Sequence, residues 1–354
     1  MDLMVYKNIC HELTSGVLMY EEIINEIKAN LGENKDLNRK YLSGQIDKYK
    51  DHPYNKEIIR EISRMLWDCL SEEEKNEFKE ISDKENPIMD ILNEVSYDIE
   101  GGDYETALSK LDEFMVGFYP MFEDDKVSEY HFFTNPLEEI LFNTYVGAEK
   151  EVRFIPDNQP LLDLYYLYGF LLFEDRQLDK AEAYLKKALK INPVSSRVIL
   201  ELSEIYKMHT YTLNRFFMHV TEALKYAYYP TDLARCYRQL GYYYIEENQL
   251  EVALALYKYS MEYDLSPLAY REILYIQSKD NNLDLSLDEC IEIIENKNIQ
   301  IGPNPLVIET LASLSQEYEK NRLYNQAIYF YKLLYTLTKD ETILEKINIC
   351  DTIK

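Results

Sequence analysis

Glycine and proline are scarce in this chain, 10 and 11 among 354 residues. A β-sandwich or barrel needs turn residues about every ten positions, so that class is excluded. Cysteine is sparse as well. The five, Cys10, Cys69, Cys236, Cys290 and Cys350, are odd in number and far apart. None has metal-ligand or redox spacing, and buried, reduced thiols are expected. No run approaches ~18 uncharged apolar residues, so no membrane span and no membrane partner is expected. The opening MDLMVYKNICHEL carries no signal-peptide apolar block, which makes the cytoplasm the expected compartment. Positive charge is also in deficit: 38 basic residues face 64 acidic ones, a net of −26. A surface this acidic repels phosphate backbones and argues against nucleic acid as the main partner.

Familiar chemistry is missing too. The chain has no Gly-rich phosphate loop, no Gly-x-Ser-x-Gly, no His-Glu-x-x-His and no Cys-x-x-Cys. None of its five histidines follows a glutamate at three residues, which removes the helical carboxylate–histidine metal pattern. Cys10 and His11 are adjacent, and adjacent helical residues point about 100° apart, so they make a poor nucleophile–base pair. The expectation is a protein that is not an enzyme, with no metal and no cofactor.

What is present is helical. The hydrophobic fraction is 46%, and long Leu/Ile/Tyr/Glu/Lys stretches run with few breakers. The 33 tyrosines are amphipathic packers suited to helix interfaces that stay partly wet. An internal repeat organises the chain. Tyr165, Tyr168, Gly169 and Leu172 share one helix face; after a turn at 174–177, Ala181, Leu185 and Ala188 share a face of the next helix, and Pro193 closes the unit. The spacing from Gly169 to Ala181 recurs from Gly241 to Ala253, with Tyr237, Leu240, Tyr244, Tyr257 and Ser260 around it. The two glycines lie 72 residues apart, room for one more unit, which Leu202, Ser203, Tyr206, Val220 and Ala223 supply. A later unit reads Leu311, Leu314, Ser315, Tyr318, Ala327, Tyr331. A degenerate one lies between, from Leu268 to Asn296, and Gly101 to Leu108 reads as the turn and second helix of another upstream, with Ile91 and Val95 before it.

This order of aromatic, small and apolar residues resembles the tetratricopeptide repeat (TPR) family, whose period is about 34 residues. The resemblance implies an all-α fold: a right-handed α–α superhelix of TPR-like helix pairs over 86–354, clearest at 162–195, 196–230, 234–267 and 308–341. The first 85 residues do not fit the repeat. Stripes at Tyr6–Leu13 and Ile23–Ile27, then Leu37, Tyr41, Leu42, Ile46 and Tyr49, then Ile58–Leu70, read as a small helical bundle, with Ser71 to Glu74 a capping-box start for a further helix. Segments 120–135 and 146–160 read as loops or an irregular repeat.

In TPR-like arrays the first helix of each pair lines the concave face and contacts a peptide. Repeat arithmetic places Tyr166, Phe170 and Phe173 there in one unit, Arg197, Leu200, Glu204 and Lys207 in the next, and Arg235, Arg238 and Tyr242 in the third. Arginine can hold a carboxylate through two parallel hydrogen bonds, and aromatics can bury an adjoining apolar side chain. The expected activity is therefore a protein- or peptide-binding scaffold, its partner segment carrying an acidic or C-terminal carboxylate group. The arginines could instead pair with Glu201 and Glu204. An alternative from a different class is a peptide-sensing transcriptional regulator. Eight basic against five acidic residues between Lys35 and Arg64 would then contact DNA.

Overall fold

A computed structural model of the chain describes residues 19–84, 86–208, 212–279 and 283–353. The stripe begun by Tyr6, Ile9, Cys10 and Leu13, and the Cys10–His11 pair, lie outside the described residues. Among the described residues the protein is all-α apart from one small parallel sheet, and the chain divides into two compact units.

The first unit gathers residues up to Asn93, Phe114–His131 and Ala148–Pro160. Its helices are α1 (19–29), α2 (Lys35–Tyr49), α3 (Asn55–Asp68), α4 (Glu72–Lys84) and the start of α5 (Pro87–Glu100). Tyr20, Ile24 and Ile27 from α1, Leu42 and Tyr49 from α2, and Ile58, Ile62 and Met65 from α3 form one core. Burying each such aliphatic side chain stabilises the fold by about 1.5–3 kcal/mol. Leu37, expected on the inner stripe, is exposed instead. It follows the Asn34 cap in the first turn of α2, where its N–H bonds the Asn34 side chain.

Two expectations about this unit are corrected. A boundary at residue 85 is replaced by a unit that also takes in two later stretches, because long-range contacts bind them. Glu57 accepts from the Lys126 N–H at 3.1 Å, Arg60 pairs with Asp125 at 3.1 Å, and Val127 packs on the core. The stretches read as loops also contain strands. β1 (Ser128–His131) pairs in parallel with β2 (Glu151–Phe154), Ser128 opposite Glu151 and His131 opposite Phe154.

The second unit comprises Glu94–Glu113, Phe132–Gly147 and Leu161–Lys354. Its elements are the end of α5, α6 (Tyr104–Val116), α7 (Pro136–Tyr145) and then stacked antiparallel pairs. These are α8 (Leu161–Glu174) with α9 (Leu178–Ile191), α10 (Ser196–Lys207) with α11 (Leu213–Tyr226), and α12 (Pro230–Glu246) with α13 (Leu250–Ser260). The stack continues through α14 (Pro267–Lys279), α15 (Leu287–Asn296), α16 (Pro305–Lys320) with α17 (Tyr324–Thr338), and α18 (Glu341–Ile353). The clearest repeats of the sequence each hold one such pair. The degenerate stretch differs, since both α14 and α15 pack on α13. The scarce prolines mark helix starts: Pro87, Pro136, Pro230, Pro267 and Pro305 each open a helix, where the missing N–H costs nothing.

Close approach explains the small residues. A Cβ on Gly169 would lie 2.7 Å from Leu185 Cγ, and one on Gly241 would lie 2.7 Å from the Tyr257 ring. The partner of each glycine is thus the large residue one turn beyond Ala181 or Ala253, while both alanines are fully buried beside it. Seven residues past Gly169, Gly241 and Ser315 the backbone turns left-handed, at Arg176 (φ 64°), Asn248 (φ 56°) and Arg322 (φ 61°), and it does so at Gly102 (φ 80°) upstream. The following N–H then reaches back five residues, as in Gln177 to Leu172 at 2.9 Å and Leu323 to Tyr318 at 2.9 Å, which ends the helix and sets the tight turn.

Candidate functional site

The first helices of two successive pairs, α10 and α12, meet α14 at a cleft of about 390 Å³ in the second unit. α10 contributes Glu204 and Lys207, α12 contributes Arg235, Arg238, Gln239 and Tyr242, and α14 contributes Leu268 and Glu272, with Tyr257 of α13 behind them. Four of the residues read from the repeat, Lys207, Arg235, Arg238 and Tyr242, are brought together here. Helical spacing accounts for it: Arg235, Arg238 and Tyr242 are three and four apart and share one face of α12.

The cleft's cations already have carboxylates. Arg235 reaches Glu201 at 3.1 Å and Glu204 at 3.6 Å. Lys207 pairs with Glu204 at 3.4 Å and stands 4.3 Å from the centre of the Tyr242 ring. Arg238 pairs with Asp264 at 3.1 Å. Burial raises the Glu201 carboxyl above its ordinary range, against the opposing pull of Arg235. Arg235 stays a cation regardless, as guanidinium groups do in proteins. The Glu201 side chain is only 7% exposed, so Arg235 neutralises a buried acid and belongs to the frame of the cleft. Tyr242 sets its ring edge-on to Phe216 of α11 at 5.9 Å, and burial, with Glu246 nearby, raises its hydroxyl.

The remaining residues of the reading lie elsewhere in the unit. Arg197 covers the Tyr166 ring at 4.0 Å and pairs with Asp163 at 2.7 Å, both side chains about half exposed. Arg197 and Asp163 line a separate cleft of about 420 Å³ with Thr134, Glu138, Tyr228 and Asp232. Phe170 meets the Tyr104 ring edge-on at 6.1 Å, and Phe173 is half-buried near the end of α8. Glu138 in that second cleft is saturated, accepting from the Thr134 N–H at 2.6 Å, Asn192 at 2.8 Å and the Tyr228 hydroxyl at 2.8 Å. It ties α7 to the residues just after α9 and just before α12.

Sequence reasoning missed Gln239, Leu268, Glu272 and Asp264. Gln239 accepts from the Ser203 hydroxyl at 2.9 Å and donates to Glu204 at 2.6 Å, fixing α12 against α10. Its signal was present: a buried amide on an otherwise apolar helix face needs partners. The others sit in or beside the degenerate repeat, whose register the sequence leaves open.

No family model and no curated protein sequence matches this chain. Among solved structures, a match is the C-terminal part of a TPR repeat-containing protein from Cytophaga hutchinsonii. It is 12% identical, covers 87% of this chain and 98% of that chain, and has a TM-score of 0.35. The helix pairing described above rests on this chain's own geometry. No helix among the described residues is long and apolar enough to cross a membrane. No group of three or more His, Cys, Asp or Glu among them is placed to hold a metal ion.

Proposed function

We propose that the chain is a non-enzymatic scaffold that binds a protein or peptide segment in the cleft between α10, α12 and α14. The segment presents an acidic or C-terminal carboxylate group beside an apolar side chain. One observation carries this reading: Lys207, Arg235 and Arg238 converge with Tyr242 and Leu268 on a single cleft in a chain of net charge −26. These three cations face four acids of the chain itself, Glu201, Glu204, Asp264 and Glu272, so an incoming carboxylate would be recognised by exchange with one of these rather than by a surplus of positive charge. The neighbouring Tyr242 and Leu268 offer the apolar contact.

A DNA-contacting role for the first unit draws less support. Arg39 pairs with Glu74 at 2.6 Å, Arg60 with Asp125 at 3.1 Å and Arg64 with Glu61 at 2.9 Å. Cations engaged in this way release fewer counterions on a phosphate backbone. The test of the scaffold reading is affinity capture from the native host with the full chain, followed by titration of the captured partner. Arg238→Ala should weaken binding by about 2–5 kcal/mol, as loss of a desolvated charged contact does. Arg197→Ala, in the other cleft, should leave affinity unchanged. Equal binding by wild type and Arg238→Ala overturns the reading.

A further inference from the structure

The three cations of the α10–α12–α14 cleft are not held alike. Arg235 is tied to helix α10 through Glu201 and Glu204, and its Nη2 also lies 3.5 Å from the Leu200 carbonyl. Lys207 shares Glu204 with it, one turn along the same helix. These partners are fixed by regular structure. Arg238 differs. Among the described residues its one hydrogen bond runs from Nη1 to Oδ2 of Asp264 at 3.1 Å. Asp264 stands in the connection between α13 and α14, outside either helix. The two side chains are 20% and 36% exposed.

A guanidinium offers five N–H donors in a fork that fits both oxygens of a carboxylate. Asp264 engages one of them. A single-contact ion pair reached by solvent is weak, because water competes for both groups and screens the attraction. A carboxylate arriving from outside could take two parallel hydrogen bonds on the same guanidinium. Leu268, four residues beyond Asp264, is 63% exposed on the rim of the cleft, so an apolar group beside that carboxylate would be covered as it docks.

We infer that Asp264 is an internal stand-in for the partner's carboxylate, and that the partner binds by displacing it from Arg238. This deepens the carboxylate-binding reading above and rests on it. Arg238 is then the residue that reads the ligand, Arg235 holds the cleft in shape, and Asp264 sets the affinity by competing for the same donors. The competition also discriminates: a segment with an apolar side chain alone cannot replace the ion pair it would break. The ligand group is a carboxylate, supplied by a chain terminus or by an Asp or Glu side chain.

The experiment uses the full chain and three fluorescent pools of short, leucine- and phenylalanine-rich peptides. One pool ends in a free carboxylate and has no Asp or Glu. A second is amidated and carries one internal Glu, and a third is amidated with no acid. The first or the second pool should bind, and which of them does so identifies the source of the carboxylate; the third should not. Asp264→Asn, and separately Asp264→Ser, should tighten binding about threefold to fivefold, the worth of one exposed ion pair. Arg238→Gln should lose most of the binding and should cancel the gain when combined with Asp264→Asn. Weakened binding by Arg238→Gln with unchanged affinity in both Asp264 variants overturns the stand-in while leaving the carboxylate reading in place. Binding that ignores the carboxylate, binding by Arg238→Gln equal to wild type, or no binding even by Asp264→Asn overturns both.

Discussion

At the scale of single residues, the repeat is a set of steric and backbone demands, and they differ in how plainly the sequence announces them. Gly169 and Gly241 announce themselves, since only glycine lets α8 approach Leu185 and α12 approach Tyr257 so closely. Gly169→Ala and Gly241→Ala should each destabilise the chain by about 1–3 kcal/mol through overpacking. Gly44 is the contrast: it lies inside α2 with nothing within 4 Å of an added Cβ. Gly44→Ala should stabilise by about 0.5–1 kcal/mol through helix propensity. Ala181→Leu, at a fully buried position, should be costly where Ala183→Leu, exposed on the other side of α9, should not. Urea melts of the variants decide these points. The left-handed turn positions were not legible, because arginine occupies two of them and glycine only one. Arg176→Gly and Arg322→Gly should stabilise by about 0.5–1 kcal/mol, the backbone strain removed less the entropy glycine adds to the unfolded chain. Asn248→Gly should gain less, because asparagine tolerates that conformation.

Among the elements, helix starts were readable where a side chain caps the backbone. The Ser71–Glu74 box forms as the spacing implies: the Ser71 N–H donates to Glu74 Oε2 at 2.7 Å, and the Glu74 N–H to the Ser71 hydroxyl at 3.2 Å. Arg39 of α2 grips the same carboxylate, and with Ser71 it lowers the Glu74 pKa from an ordinary 4.5 to about 2. A depressed carboxyl pKa means that this contribution is present above the ordinary value and is lost as pH falls toward about 2. Amide exchange at the start of α4, taken relative to the intrinsic rate at each pH, should therefore quicken between those two pH values. In Arg39→Ala the quickening should move toward ordinary carboxylate pH; an unchanged profile would show that Arg39 does not hold the cap. The strands were illegible for a different reason. All four residues of β1 are buried, so no two-residue alternation marks it, and its partner β2 lies 20 residues on with α7 in the intervening chain. The degenerate repeat hid its register because α14 and α15 both lean on α13, so the usual face-to-face pattern of a pair is absent.

For the molecule as a whole, an acidic composition gave no hint of where its cations would gather, yet repeat arithmetic placed Lys207, Arg235, Arg238 and Tyr242 on one cleft. These four share it because α10 and α12 keep the spacing of the repeat. The arithmetic also assigned Tyr166, Phe170 and Arg197 to that groove, where the structure does not place them. Tyr166 and Phe170 stand on α8 and Arg197 in the first turn of α10, where Arg197 meets Tyr166 and Asp163 and Phe170 meets Tyr104. Nor could it show that every one of these cations meets a carboxylate of the chain itself, because Asp264 lies outside the repeat pattern. The ion pairs make binding an exchange of partners, in which salt screens the pair that breaks as well as the one that forms, so affinity should depend only weakly on salt. The account stands most directly on where a ligand touches the chain. Hydrogen–deuterium exchange of the full chain, with and without the peptide pool that binds it, maps that contact. Protection confined to 204–207, 235–242 and 264–272 is the predicted result. Protection on α9, α11 and the outer side of α13, or on the first unit alone, would contradict it.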